Sequence, residues 1–188
     1  MSNKIKKAIE FMKKWHGDSL RKDGKTLYWN HPLDVYNLLK KCDELNDLEE
    51  HYYIVALLHD ILEDTKCSEK EIEDNFGYSV SFLVKSMSFY ENKNNPFAKS
   101  GYLANIALNQ NTCSVFTVKI ADRICNVKDF LNMGDYRYAK TYFHKADVLF
   151  DILYRETNKP WMRFKKVHVN LLTEVMSLYY QFHKGNKK

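Results

Sequence analysis

Glycine and proline are scarce in this sequence, which argues against a fold built on many tight turns. There are 6 Gly and 3 Pro among 188 residues, whereas β-sandwiches and β-barrels need frequent turns made from these residues. The composition therefore favours long helices joined by short loops. With 45% hydrophobic and 14% aromatic residues, the chain can fill one apolar core, and we expect a single domain over residues 1–188.

Paired cysteines, long apolar runs and a strong net charge are also lacking. The four cysteines show no C-x-x-C spacing, so we expect free thiols in a reducing cytoplasm. No run of eighteen apolar residues is present, and the basic amino-terminus lacks the apolar core of a signal peptide. The formal charge of +5 suits a small anionic substrate and is too weak to indicate nucleic-acid binding. We expect neither nucleic acid nor membrane as a partner, and the oligomeric state is left open.

Apolar residues recur at helical spacing through most of the chain, which predicts an all-α fold. Ser68 and Glu71 have the spacing of a capping box, and Gly77 is placed to end the helix that follows it. β-Branched residues make a strand the competing prediction for 115–120, but the three- and four-residue spacing continues beyond it and favours a helix. Loops are expected at 17–30 and 92–96. The predicted helices are 5–15, one starting near Pro32, 54–65, 69–76, 80–87, 115–133, 136–154 and a carboxy-terminal helix within 160–183.

Ionisable side chains interrupt the apolar stretch 56–65, which contains His59, Asp60, Glu63 and Asp64. On a continuous helix His59 and Glu63 share one stripe, and Asp60 and Asp64 share the adjacent stripe. Burying these groups without partners is strongly unfavourable, and a divalent cation compensates because it binds both carboxylates and neutral imidazole. The alternative is a helix end whose last turn emerges into water.

Two further groups favour the metal-site interpretation. His31 lies at a predicted helix start, and Asp122 follows a second apolar run. His31, His59, Asp60 and Asp122 together supply two imidazoles and two carboxylates. This mixed nitrogen and oxygen set suits manganese, iron or magnesium rather than a sulfur-rich structural zinc site. Such a site activates water for hydrolysis.

Three stretches of the chain resemble HD-domain phosphohydrolases. They are RKDGKTLYWNHP at 21–32, ALLHDILEDT at 56–65 and VKIADRICN at 118–126. The surrounding residues are similar to one branch, the hydrolase domain of RelA/SpoT enzymes and their small stand-alone relatives, which degrade the alarmone ppGpp. The resemblance covers about residues 16–150. An HD followed by x-x-E-D-T, with A-D-R-x-x-N downstream, is considerably more specific than H…HD…D alone.

The resemblance implies an HD-domain helical bundle with a buried metal site. It makes His31, His59, Asp60 and Asp122 the ligands of one divalent ion, usually manganese in this family, with iron or magnesium as alternatives. Glu63 and Asp64 would orient the attacking water and handle the proton passed to the leaving oxygen. The residues expected to bind substrate are Arg21 and Lys22 beside the purine base, Asn126 at the ribose, Lys119 at phosphate or on a solvated flank, and Arg137 and Tyr142 at the diphosphates.

The implied activity is hydrolysis of ppGpp or pppGpp at the 3′ position, which releases pyrophosphate and GDP or GTP. We expect hydrolysis alone, because the chain is too short to add a synthetase domain. A pocket rim of Arg21, Lys22, Lys119 and Arg123 would attract this anionic nucleotide. Two alternatives are an HD nucleotidase acting on another nucleotide and a module that binds a nucleotide without cleaving it.

The remaining histidines are expected to have no part in the site. His16 lies near the motif but is given no ligand role. Surface or core-edge positions are expected for His51, His144, His168 and His183.

Overall fold

The computed structural model describes residues 1–89, 102, 113–157 and 165–185. Within these ranges the secondary structure is helical, and the only β pairing is an isolated antiparallel bridge between Leu20 and Leu27. The helices are α1 Asn3–His16, α2 Asn30–Cys42, α3 Glu50–Leu58, α4 Ile61–Asp64, α5 Glu69–Phe76, α6 Tyr78–Met87, α7 Cys113–Asn132, α8 Tyr136–Thr157 and α9 Lys165–Gly185. The predicted all-α fold is confirmed.

Local sequence signals set several of these helix ends. Ser68 and Glu71 form the predicted capping box at the start of α5, and Gly77 ends that helix with a φ of 88°. Residues 115–133 fall almost wholly within α7, so the competing strand prediction is wrong there. The loop predicted at 92–96 lies outside the described residues.

Two helices form the centre of the bundle. In α3 every residue from Tyr52 to Leu58 is buried, as expected for a helix that is apolar on most of its circumference. It packs against α1, α2, α6 and α7. The long helix α7 also contacts α2, α6, α8 and α9. None of the helices in the described ranges is long and apolar enough to cross a membrane.

The continuous helix expected through 56–65 is interrupted. Helix α3 ends at Leu58, His59 and Asp60 form a turn, and α4 begins at Ile61. Asp60 has φ −100° and ψ −4°, close to the bridge region between helix and strand. On a regular helix adjacent side chains do not face each other, but here His59 Nε2 and Asp60 Oδ2 lie 3.1 Å apart. The interruption therefore allows two consecutive residues to point at one place.

The loop at 17–30 is held by its own hydrogen bonds. The Tyr28 backbone N–H donates to Ser19 O at 2.7 Å, and the Arg21 N–H donates to Thr26 O at 2.8 Å. Asp23 Oδ1 accepts from the Thr26 backbone N–H at 2.9 Å, across a turn at Gly24. These bonds fix the positions of Arg21 and Tyr28 relative to each other.

Candidate metal centre and adjoining cavities

Side chains from three separate segments converge next to α3. His31 comes from the first turn of α2, His59 and Asp60 from the turn after α3, and Asp122 from the middle of α7. His31 Nε2 lies 3.2 Å from Asp122 Oδ1 and 3.7 Å from Asp60 Oδ2. His59 Nε2 lies 3.8 Å from Asp122 Oδ1. The structure thus brings together all four residues that the sequence suggested as metal ligands.

Three residues of this cluster each place a donor atom within reach of one common cation. Atoms of His31, His59 and Asp60 all lie within 4.8 Å of one another. His59 Nδ1 lies 2.8 Å from the Ala56 carbonyl oxygen, which places the proton on Nδ1 and leaves Nε2 facing the carboxylates. His59 Nε2 is buried and makes no hydrogen bond in the described part of the chain. These residues therefore fit a divalent ion held by two imidazoles and carboxylate oxygens.

The charges around the cluster favour ionised carboxylates. Burial opposes ionisation of Asp60, but the neighbouring imidazoles outweigh it and hold its pKa well below the usual range. Burial also opposes ionisation of Asp122, yet its pKa is lowered because Lys119 Nζ lies 3.3 Å and Arg123 Nε 3.8 Å from Oδ2. Burial disfavours the charged form of His59, but Asp60 and Asp122 raise its pKa to about 9. The cluster attracts positive charge strongly.

Tyr28 supports the cluster from the loop before α2. Its hydroxyl donates to Asp60 Oδ2 at 3.0 Å. Its ring stacks on the buried His16 imidazole with centroids 4.9 Å apart, and burial lowers the pKa of His16 to about 4. No ligand role was expected of His16, and in the structure it is connected to Asp60 through Tyr28. Sequence reasoning missed Tyr28, although its place three residues before His31 was a usable signal.

A polar cavity of about 140 Å³ opens over the cluster. Its charged wall residues are the carboxylates of Asp60, Glu63, Asp64 and Asp122 and the cations of Lys119 and Arg123. Glu63 Oε1 accepts a hydrogen bond from the Phe89 backbone N–H at 2.9 Å. Partial burial raises the pKa of both the Glu63 and Asp64 carboxyls. These two side chains therefore combine proximity to the cluster with an increased tendency to hold a proton.

A second cavity, of about 270 Å³, adjoins the polar cavity. We call it the outer cavity. Tyr28, Asn126 and Tyr142 line both. In the outer cavity Arg21 Nη2 pairs with Asp129 Oδ2 at 2.7 Å. The walls thus combine aromatic surface with hydrogen-bonding groups.

The ammonium group of Lys22 lies among three aromatic rings at the wall of the outer cavity. Its ammonium nitrogen is 5.5–5.7 Å from the ring centroids of Phe130, Tyr138 and Tyr142. Arg21 and Lys22 therefore both line a cavity that presents aromatic and polar groups together. Asn126 donates from its amide to Asp122, which links the outer cavity to the cluster.

Some of the expected residues lie elsewhere than the sequence suggested. Arg137 is exposed on α8 and lines neither cavity, so the geometry gives no support to its expected phosphate contact. Arg123 and Lys119 were expected at the pocket rim, but only 5% and 4% of them are exposed. His168 was expected at the surface or core edge and is fully buried. In each case the difference arises from how helices pack, which the local sequence does not record.

Comparison with known proteins places this helical chain in one protein family. A family model described as an HD domain matches residues 8–148. A guanosine-3′,5′-bis(diphosphate) 3′-pyrophosphohydrolase of Aquifex aeolicus is 35% identical over 128 residues, which are 68% of this chain and 18% of the relative. A GTP pyrophosphokinase of Myxococcus xanthus is 33% identical over 156 residues, 77% of this chain and 19% of the relative. The chain spans about a fifth of the length of these two relatives.

A shorter relative matches over most of both chains. Guanosine-3′,5′-bis(diphosphate) 3′-pyrophosphohydrolase MESH1 of Drosophila melanogaster is 30% identical over 129 residues, 68% of this chain and 70% of the relative. The solved structure of a metazoan ortholog of SpoT, described as hydrolysing ppGpp, has the same fold. Its TM-score is 0.76, with 24% identity and 96% of each chain covered. The chain belongs to the HD-domain family, in the branch that includes the RelA/SpoT hydrolases.

Proposed function

We propose that this protein hydrolyses ppGpp and pppGpp at the 3′ position, with a divalent ion, manganese, bound by His31, His59, Asp60 and Asp122. The observation that carries the proposal is the junction of the two cavities. Asp60 and Asp122 of the His/Asp cluster line the polar cavity, and the outer cavity presents aromatic and polar groups. A nucleotide with a diphosphate on its 3′ oxygen has a polyanionic end and a planar base that match these two environments.

The charge of the polar cavity supports a bound cation. Four carboxylates face two cationic side chains, so the wall carries two net negative charges when the histidines are neutral. A divalent ion would neutralise this wall, and when bound it would lower the pKa of a coordinated water and polarise a phosphoryl oxygen. Without it, phosphate groups would meet uncompensated carboxylates.

The reaction is the hydrolysis of one phosphoester bond by one water molecule. The water oxygen forms a bond to the inner phosphorus of the 3′ diphosphate, and the bond between that phosphorus and O3′ breaks. The water loses a proton and O3′ gains one, which gives pyrophosphate and GDP from ppGpp. Glu63 and Asp64 are the residues in the polar cavity whose raised pKa suits this proton transfer.

Residues of the outer cavity hold the nucleoside. Arg21 and Lys22 would pack beside the base, because guanidinium and ammonium groups bind the faces of aromatic rings. Asn126 lies between the two cavities, where it would contact the ribose. Tyr142 also lines both and would contact the diphosphate. Lys119 is buried beside Asp122 rather than on a solvated flank, which places its charge within the polar cavity.

The test is hydrolysis by purified protein stripped of metal and reloaded with manganese, iron or magnesium. We expect pyrophosphate and GDP from ppGpp, fastest with manganese, and no phosphate from GDP or GMP. In water enriched in ¹⁸O the label should enter pyrophosphate and not GDP, because the P–O3′ bond is the one that breaks. Glu63→Gln, which keeps the size of the side chain, is the matched inactive control.

Other outcomes would support other functions. Phosphate released from GMP with no pyrophosphate from ppGpp would indicate an HD nucleotidase of different specificity. Measurable ppGpp binding without turnover, with every metal tried, would indicate a nucleotide-binding module. The buried free thiols Cys42, Cys67 and Cys125 fit the reducing cytoplasm in which we propose the protein works.

A further inference from the structure

Arg123 is a buried cation whose side chain makes no hydrogen bond within the described residues. Its side chain is 7% exposed, and Nε is buried without a partner. The carboxylate oxygen Asp122 Oδ2 is 3.8 Å from Nε, which is beyond hydrogen-bond range. A buried guanidinium normally has its donors satisfied, since it cannot lose its charge. The free donor of Arg123 therefore indicates a partner that lies outside the described residues, such as a bound ligand.

A role as counter-ion of Asp122 does not account for this position. Asp122 Oδ2 already has a closer cation, since Lys119 Nζ lies at 3.3 Å. Its other oxygen, Oδ1, accepts from the Asn126 amide and faces His31. Asp122 is thus well compensated without a hydrogen bond from Arg123.

The location of Arg123 identifies the chemical class of the missing partner. Arg123 lines the polar cavity, on whose wall Glu63 and Asp64 also lie. Its guanidinium carbon is 5.9 Å from the ring centroid of Tyr142, which also lines the outer cavity. A planar guanidinium fork matches two oxygens of a phosphate group, and such charge-assisted pairs are the strong hydrogen bonds of proteins.

We propose that Arg123 binds the diphosphate group that leaves as pyrophosphate. This assignment rests on the proposed function. Arg123 donates hydrogen bonds to non-bridging oxygens of the diphosphate and exchanges no proton. As the P–O3′ bond breaks and O3′ takes up a proton, the departing pyrophosphate keeps its negative charge on the oxygens that Arg123 contacts. Arg123 therefore binds both the substrate and this product.

The experiment measures binding and turnover separately in the whole 188-residue chain loaded with manganese. Arg123→Gln removes the charge, Arg123→Lys keeps it without the fork, and Arg155→Gln is a control at an exposed arginine of α8. Pyrophosphate and GDP are titrated calorimetrically, with equal manganese in cell and syringe. The KM and kcat for ppGpp are measured alongside, and circular dichroism checks the fold of each variant.

We expect Arg123→Gln to weaken pyrophosphate binding about 10- to 100-fold, the range of a lost charge-assisted pair. GDP, which lacks the 3′ diphosphate, should bind within about twofold of wild type, and manganese affinity should not fall. Arg123→Lys should recover part of the pyrophosphate affinity, and Arg155→Gln should match wild type. The KM for ppGpp should rise with the loss of pyrophosphate affinity.

Three results separate the possibilities. If wild type fails to hydrolyse ppGpp, the proposed function is wrong, and the Arg123 assignment falls with it. If wild type is active but Arg123→Gln and Arg123→Lys bind pyrophosphate and ppGpp as wild type does, only the Arg123 assignment is wrong. If both variants lose manganese, or GDP and pyrophosphate affinity equally, Arg123 is a structural support of the site and the assignment is overturned.

Discussion

Lowering the pH from 7 to 5 should destabilise this protein, and the buried imidazole of His168 should account for a measurable part of the loss. His168 of α9 is fully buried, and its Nε2 lies 2.8 Å from Thr117 Oγ1 of α7. The edge-on Phe116 ring is 5.9 Å away. Burial lowers the pKa of His168 from 6.5 to about 4. The folded protein therefore keeps His168 neutral where the unfolded chain protonates it.

The sign and the size of the change in the free energy of unfolding follow from proton linkage. The pKa of His168 is lower in the folded state, so its contribution to stability is present above about pH 6.5 and is lost as the pH falls toward 4. One pKa unit corresponds to about 1.4 kcal/mol. At pH 5 the unfolded chain holds nearly one more proton at this site than the folded protein does, so the free energy of unfolding should fall by about 2 kcal/mol between pH 7 and pH 5.

The assay is urea denaturation of metal-free protein, followed by tryptophan fluorescence at pH 7, 6 and 5. His168→Gln removes the titration while its amide can still hydrogen-bond Thr117. His183→Gln, at an exposed position in the last turn of α9, is the matched control. Wild type and His183→Gln should lose about 2 kcal/mol more than His168→Gln between pH 7 and 5. If all three proteins lose the same free energy of unfolding, the prediction that His168 is buried as a neutral imidazole is wrong.

The other predictions concern the metal centre and one structural loop. Asp122→Ala should lose bound manganese and activity, whereas Glu63→Ala should lose activity and keep the metal; equal metal loss in both would contradict the separate roles. Tyr28→Phe should weaken manganese binding about 10- to 100-fold, with Tyr154→Phe unchanged, because the Tyr28 hydroxyl orients Asp60. Asp43→Ala should lower the free energy of unfolding by about 2–4 kcal/mol, since the buried Asp43 carboxylate accepts hydrogen bonds from two backbone N–H groups and a tyrosine hydroxyl. An unchanged urea midpoint would contradict it.

The helical fold was predictable because its signals are local. Apolar spacing, the Ser68–Glu71 capping box and Gly77 act over a few residues; they predicted both ends of α5 and the approximate positions of the other helices. The interruption at 59–60 was not predictable in this way. Both residues have helical neighbours on either side, and the turn is defined by side chains that must meet His31 and Asp122 from other helices.

The sequence by itself identified the four candidate metal ligands, because the motif surrounds each of them with recognisable neighbours, but it did not identify Tyr28. Tertiary structure decided how these residues meet: His31 and Asp122 are 91 positions apart in sequence, and only the packing of α2 and α7 on α3 brings their side chains together. The tertiary structure also decided which side chains are buried: Arg123 lines the polar cavity, His168 lies in the core and Arg137 is exposed to solvent. Burial depends on every helix that covers a side chain, so residue type and local spacing do not contain it.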